Sequence, residues 1–183
     1  MKFLTQILLL CLATLGLQAS MYIYIEEGVE LPLADNQTIV YSGSPVKVVS
    51  STSDSSKVLL AGYVNNSDKT KLYATPNLKL LLATTKKEGT IKINANKGVL
   101  EVVIPKDNLT DDSEEAWDNS SSRFYEKCTQ CHTAKVVGDH TMLEWEGLYG
   151  SMKQFAKPTK EDDAYISRFL QAFAKDGIVK EAD

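Results

Sequence analysis

Two thiols and an imidazole lie within five residues of one another, in the run Cys128-Thr129-Gln130-Cys131-His132. On a helical turn, side chains three residues apart face the same way, so both sulfurs can reach one flat partner. The imidazole of the next residue then points at the centre of that partner. This spacing is the attachment motif of a c-type haem, in which the histidine is an axial iron ligand. The sequence therefore predicts one covalent haem c on Cys128, Cys131 and His132.

Two other chemistries use cysteines at this spacing. A thioredoxin-like redox pair needs a βαβ context and does not need His132, whereas the flanks of this motif have a helical pattern. A structural zinc ion takes four ligands as a rule, and His140 is the one further strong ligand downstream of the motif. Covalent haem attachment is the favoured prediction.

The second axial ligand decides what an iron at this site can do. The candidates downstream of the motif are His140, Met142 and Met152. Met152 follows Trp145 by seven residues, nearly two helical turns, so the two side chains share one helix face. His140 is so close to His132 in the chain that the backbone would have to wrap the haem edge very quickly. We predict axial ligation by His132 and Met152, with Trp145 beside the haem; His140, Met142 and an open iron position stay as alternatives.

Three helices are predicted to hold these residues. The first opens at Arg123 and leads into the motif, with the preceding serines available as caps. The second begins at Thr141, which can form a capping box with Glu144. The third has Thr159 as its cap and ends at Gly177. The apolar stripes of the second and third helices are Met142, Trp145, Leu148, Tyr149 and Met152, and Tyr165, Ile166, Phe169, Leu170 and Phe173.

The first half of the chain has the pattern of short β-strands. Apolar runs separated by turn residues recur at roughly 8–12-residue spacing, in the stretches 22–25, 46–49, 57–60, 90–93 and 99–104. Residues 45–64 resemble a bacterial SH3-like unit, and they also fit any β domain that packs on a neighbour. The predicted fold class is two-domain: an N-terminal all-β domain, as a small SH3-like barrel or a sandwich, and a C-terminal all-α small cytochrome c domain.

Composition predicts the domain boundaries. Residues 1–20 have one charge, Lys2, then an apolar run that contains Cys11, then small residues; this order is typical of a secretory signal peptide. A β-rich domain is predicted over residues 21–108, an acidic linker over 109–122 and a monohaem cytochrome domain over 123–183. We therefore expect a periplasmic protein that has no membrane span in its mature form.

Charge is unevenly distributed between the two halves. Residues 21–110 carry 10 basic and 9 acidic side chains, whereas residues 111–183 carry 9 basic and 15 acidic ones. A nucleic-acid partner is not expected, because it would require a basic face. The acidic second half could instead attract a basic partner surface.

The stretch from about Phe124 to Gly177 resembles the C-terminal monohaem domain of the pentahaem cytochrome subunit of trimethylamine N-oxide reductase systems. The likeness lies in the motif at 128–132, in Trp145 with Met152, and in the run Phe-Leu-Gln-Ala-Phe-Ala-Lys-Asp at 169–176. Small haem subunits of other molybdenum enzymes, including sulfite dehydrogenases, have a similar layout. The resemblance implies that Met152 is the distal ligand. It also implies a periplasmic molybdopterin oxidoreductase for N-oxides or S-oxides as partner, with an upstream quinol dehydrogenase or cytochrome.

The sequence departs from that family in having one Cys-x-x-Cys-His motif instead of five. The expected role is therefore an electron carrier or a haem subunit, not an enzyme and not a direct quinol dehydrogenase. Two alternatives need an open or displaceable sixth position on the iron: a peroxidase-like haem enzyme, and a haem-based sensor whose β domain carries the function.

Overall fold

The computed structural model describes residues 21–180. The predicted signal at residues 1–20, with Cys11, lies outside this range. The described residues form ten β-strands followed by three α-helices. The strands are β1 (Met21–Ile23), β2 (Glu30–Pro32), β3 (Thr38–Tyr41), β4 (Pro45–Ser51), β5 (Ser55–Asn65), β6 (Asp68–Tyr73), β7 (Leu81–Thr85), β8 (Lys92–Asn94), β9 (Lys97–Pro105) and β10 (Leu109–Thr110). The helices are α1 (Ser113–Cys128), α2 (Met142–Ala156) and α3 (Lys160–Phe173).

All the strands pair antiparallel in one curled sheet, in the order β10-β1-β4-β5-β6-β7-β3-β2, with β9 on β5 and β8 on β9. The longest ladder joins β5 to β9, from Ser55 opposite Pro105 to Tyr63 opposite Lys97. Every second residue of β9 is buried, as expected where one face of a sheet covers a core and the other meets water. The inner face holds the main apolar cluster, which includes Ile23, Val40, Val58, Leu60, Leu72, Leu100 and Ile104.

Side-chain caps set where the helices begin. The Asp112 carboxylate accepts a hydrogen bond from the backbone N–H of Glu114 at the start of α1. Both later helices begin with a capping box, Thr141 with Glu144 in α2 and Thr159 with Asp162 in α3. The predicted starts of α2 and α3 are therefore confirmed. Within residues 21–180, none of the helices combines the length and the apolar character that crossing a bilayer requires.

Helices α1 and α3 pack directly on the sheet. The indole of Trp117 is buried over Gly43, where an added Cβ would lie 2.2 Å from two of its ring atoms. Arg168 of α3 is 7% exposed, and its guanidinium donates hydrogen bonds to the carbonyl oxygens of Leu81 (2.7 Å) and Ser42 (2.5 Å). Sheet and helices therefore share buried contacts.

The predicted fold class is wrong. The described residues fold as a curled antiparallel sheet with three helices, of which α1 and α3 pack on the sheet, not as an all-β domain beside a small all-α domain. Residues 109–122, predicted as a linker, form β10 and the first part of α1. The cause is tertiary: Ala116 and Trp117 are buried with Leu80 and Ala172, so this otherwise polar segment is held as a helix against the sheet.

Candidate functional site

The Cys-x-x-Cys-His motif lies at the C-terminal end of α1. Cys128 is the last residue of the helix and is half-buried, whereas Cys131 and His132 follow the helix and are exposed. Thr129 is the C-cap of the helix, and its N–H and its hydroxyl both donate to the carbonyl oxygen of Tyr125, at 3.1 and 2.7 Å. The motif thus begins on a helix that the sheet holds in place.

No disulfide joins the two cysteines of the motif. Burial raises the pKa of the Cys128 thiol, so this group stays protonated at neutral pH. Thiol–disulfide chemistry depends on a thiolate whose pKa has been lowered by its surroundings. The environment of Cys128 therefore does not favour a thioredoxin-like redox pair.

One hydrogen bond defines the tautomer of His132. Its Nδ1 lies 2.9 Å from the carbonyl oxygen of Thr133. Since a carbonyl oxygen can only accept, Nδ1 is the donor in this hydrogen bond, and in the neutral imidazole the lone pair is then on Nε2. Histidines that bind metals commonly hold their second ring nitrogen in this way. His132 is thus prepared to bind a metal through Nε2.

An apolar cleft of about 150 Å³ opens beside the motif. Its walls come from the end of α1, the segment that follows it, the face of α2 and one residue of α3. The lining residues are Phe124, Cys128, His132, Ala134, Lys135, Trp145, Leu148, Tyr149, Met152 and Leu170. The fold thus brings Cys128 and His132 together with Trp145 and Met152, which the sequence analysis had singled out as parts of one site.

The three candidates for the second axial ligand occupy different places. Met152 lines the cleft and is 41% exposed. Met142 is fully buried in the helical core and faces a separate small cavity with Glu146. His140 is half-buried outside the cleft lining, and its ring packs edge-to-face on Trp145 at 5.2 Å between centroids. Of the three, Met152 is the one that lines this cleft together with His132.

Trp145 forms part of the cleft wall. Its side chain is buried, and Nε1–H donates to the carbonyl oxygen of Val137 at 2.8 Å. Its indole also packs edge-on against Phe124, at 6.2 Å between ring centroids. The indole is therefore fixed from two sides, and the segment between the motif and α2 is tied to the cleft.

The sequence analysis did not identify Lys135 and Tyr149 as site residues. Lys135 places a cation in an otherwise largely apolar lining. Tyr149 had been assigned only to an apolar stripe; its hydroxyl is buried, and burial together with the neighbouring Asp163 carboxylate raises its pKa. The stripe spacing put Tyr149 on the correct helix face, but no pattern marks Lys135.

Metal ligation by a side-chain cluster has little support in the part of the chain that the structure describes. In residues 21–180, His, Cys, Asp and Glu side chains do not form any group of three or more that could hold an ion.

Neither a protein-family model nor a curated protein nor a solved structure matches this chain. What the chain binds must therefore be inferred from the cleft itself.

The residues of the cleft fit a haem c. Cys128 and Cys131 offer two thiols three residues apart, His132 offers an imidazole nitrogen with a free lone pair, and Met152 offers a thioether. The cleft is smaller than the roughly 300–1,000 Å³ of ordinary ligand pockets. Cys131 is exposed and is not part of the cleft lining, whereas His132 is exposed and lines it, so a group that reaches both must also extend out of the cleft.

Proposed function

We propose that this chain is a periplasmic monohaem c-type cytochrome that transfers single electrons. The observation that carries the proposal is the cleft in which Cys128, His132 and Met152 meet, although the last of these lies on a different helix from the first. A haem c held there supplies a one-electron couple.

Each residue of the cleft has a defined task in this proposal. The Cys128 and Cys131 thiols would hold the porphyrin covalently, each by adding its S–H bond across one vinyl group to give a thioether. His132 would hold the iron through Nε2 and Met152 would hold it through its thioether sulfur, which would leave no site on the metal for a substrate. A methionine ligand raises the reduction potential relative to a second histidine. The apolar lining keeps water from the inner wall of the cleft, where Phe124 and Trp145 are buried.

We further propose that the partner is a periplasmic molybdopterin oxidoreductase of the N-oxide or S-oxide reductase type. An upstream quinol dehydrogenase or cytochrome would exchange electrons at the same site. The resemblance of residues 124–177 to the monohaem domain of pentahaem cytochrome subunits supports this partner. The single haem motif favours a carrier or a haem subunit over a quinol dehydrogenase.

The test is an absorption spectrum of the protein matured in a periplasm that attaches haem, recorded first ferric and then ferrous. We expect sharp low-spin ferrous bands and a weak far-red sulfur-to-iron band in the ferric state. Met152→Ala should abolish the far-red band. The matched control is Met142→Leu, a change at the other methionine of the same helix that conserves volume, and it should leave the band intact.

Two outcomes would overturn the assignment. High-spin ferric bands in the unmodified protein would indicate an open iron and favour a peroxidase-like enzyme or a sensor. If haem stays bound after denaturation in a Cys128→Ser, Cys131→Ser double variant, the motif is not the attachment site. A low-spin spectrum without the sulfur band would shift the sixth ligand to His140.

A further inference from the structure

The C-terminal ends of two helices meet at the mouth of the cleft. Cys128 ends α1, and Met152 lies in the second-last turn of α2; both line the cleft. Basic residues lie in these final turns, Lys127 in α1 and Lys153 in α2, and Lys157 follows as the C-cap of α2. Cations at this end complement the negative pole of a helix.

Acidic residues lie at the opposite ends of the same helices. The first turn of α1 contains Glu114 and Glu115, and that of α2 contains Glu144. Carboxylates also lie at the mouth, because Asp162 and Asp163 in the first turn of α3 pair with Lys127 and Lys153. The charges of these pairs offset one another, so the lysines without such a partner are the ones that can attract an acidic surface.

Two of the lysines around the mouth have charge available for a partner. Lys127 pairs with Asp162 at 3.3 Å, and Lys153 pairs with Asp163 at 2.6 Å. Lys135, in the cleft lining, and Lys157 are both exposed, and neither forms an ion pair with another residue in the range 21–180.

Apolar side chains are exposed among these lysines. Phe155 is 70% exposed and follows Met152 by three residues, so both lie on the same side of α2. Val136 is exposed next to Lys135, and Tyr125 is exposed one turn before the motif. Exposed apolar groups within a polar surround mark interaction sites when they cluster, and redox encounters use small interfaces of this kind.

We propose that this cleft mouth, with Lys135 and Lys157 beside Phe155 and Val136, is the docking surface for the acidic face of a redox protein. The redox part rests on the proposed function; the docking part rests on charge complementarity. This docking surface would attract an acidic partner, whereas the sequence analysis expected this half of the chain to attract a basic one. Carboxylates of the partner pair with the two lysines while its apolar centre covers Phe155.

The test measures electron transfer between the haem-loaded ferrous protein and two small oxidants of opposite charge, by stopped flow. The anionic probe is hexacyanoferrate(III), and the cationic probe is tris(phenanthroline)cobalt(III). The double reversal Lys135→Glu, Lys157→Glu should slow the anionic reaction by roughly three- to tenfold at low ionic strength, and it should speed the cationic one. High salt should remove both effects.

A matched control separates local charge from net charge. Lys47→Glu with Lys92→Glu makes the same change in net charge at exposed positions on β4 and β8. It should alter either rate less than twofold. Equal effects of the two double variants, or a faster reaction of hexacyanoferrate(III) with the cleft-mouth reversal, would overturn the docking proposal.

A second measurement does not depend on iron. Titration of the isotope-labelled full chain with a glutamate-rich peptide, followed by amide shifts, should move residues 135–136 and 155–157 first. Shifts centred on the sheet would contradict the docking surface even if a haem is attached. Failure to attach haem, with the expected shifts intact, would contradict the electron-transfer proposal instead.

Discussion

At the scale of single residues, Asp162 connects the two helices that pack on the sheet. Its side chain is 3% exposed and lies 3.3 Å from Arg123 and from Lys127 of α1. It also accepts hydrogen bonds from the backbone N–H of Thr159. Burial opposes ionisation of this carboxyl, but the hydrogen bonds from Thr159 and Lys127 outweigh it, so the pKa of Asp162 is lowered.

We predict that Asp162→Asn lowers the free energy of unfolding by about 1–3 kcal/mol at pH 7, because charge-assisted hydrogen bonds are lost. A lowered native pKa stabilises the fold above the unfolded pKa, near 3.8, and this contribution disappears as the pH falls through the native pKa. The difference between variant and unmodified protein, measured by denaturant unfolding, should therefore shrink steadily below pH 3.8. Glu161→Gln, in the same helical turn, is the control and should change stability by less than about 0.5 kcal/mol. A difference in the free energy of unfolding that stays unchanged in acid would contradict the role of the Asp162 charge.

What the sequence reveals about single residues depends on whether their partners are near in the chain. The Cys-x-x-Cys-His motif is contiguous, and the position of Met152 on the same helix face as Trp145 follows from the helical period. The capping box of Asp162 is also a local pattern. Its ion pairs with Arg123 and Lys127 join positions more than 30 residues apart, and no spacing rule marks such pairs.

At the scale of elements, the position of α1 on the sheet depends on one glycine. Gly43 has φ +72° in the turn between β3 and β4, and the Trp117 indole occupies the space of its missing side chain. The indole also packs edge-on against Phe173, at 5.8 Å between ring centroids. Trp117 thus joins α1 both to the sheet and to the end of α3.

We predict that Gly43→Ala destabilises the protein much more than Gly89→Ala. Gly89 also has a positive φ (+85°), but nothing lies within 4 Å of an added Cβ, so its replacement measures backbone strain alone, about 1–2 kcal/mol. Gly43→Ala should cost about 1–3 kcal/mol more, because the methyl group overpacks the Trp117 contact. Thermal unfolding of both variants gives the comparison, and Trp117→Leu should recover part of the Gly43→Ala loss. Equal losses of stability in the two variants would show that the close approach of Gly43 to the Trp117 indole does not affect stability.

The start of α1 illustrates why elements can be misread from the sequence. Residues 109–122 are mainly acidic and polar and lack a continuous apolar stripe, so they resemble a linker. Ala116 and Trp117 anchor the segment as a helix, because they are buried with Leu80 and with Ala172 of α3. Most of the strands and the starts of α2 and α3 could be predicted from the sequence, since polar–apolar alternation and capping boxes are local patterns.

At the scale of the whole molecule, Arg168 connects helices and sheet in the interior. Burial lowers its pKa to about 10. Its guanidinium lies over the rings of Tyr41 and Trp117, at 5.2 and 5.7 Å from their centroids. The two-domain prediction failed at this junction, since no local sequence pattern joins residue 168 to residues 42 and 81.

We predict that Arg168→Met destabilises the protein by about 2–4 kcal/mol, because the carbonyl groups of Ser42 and Leu81 lose their donors in the interior. Sheet and haem cleft should also unfold together, as shown by coincident transitions in far-ultraviolet circular dichroism and in the haem absorption band. Arg123→Met removes an arginine whose side chain is 43% exposed, and it should cost less than about 1 kcal/mol. Two separate transitions in the unmodified protein would restore the two-domain description.

The two sides of the cleft differ in stiffness. Helix α1 packs on the sheet through the buried Trp117, whereas α2 has no buried residue after Tyr149. The end of α2 that carries Met152 is therefore held by fewer buried contacts, and the ion pair of Lys153 with Asp163 joins it to α3. If a metal is bound in the cleft, a change in bond length would displace the Met152 sulfur at a smaller cost in buried contacts than it would displace the end of α1.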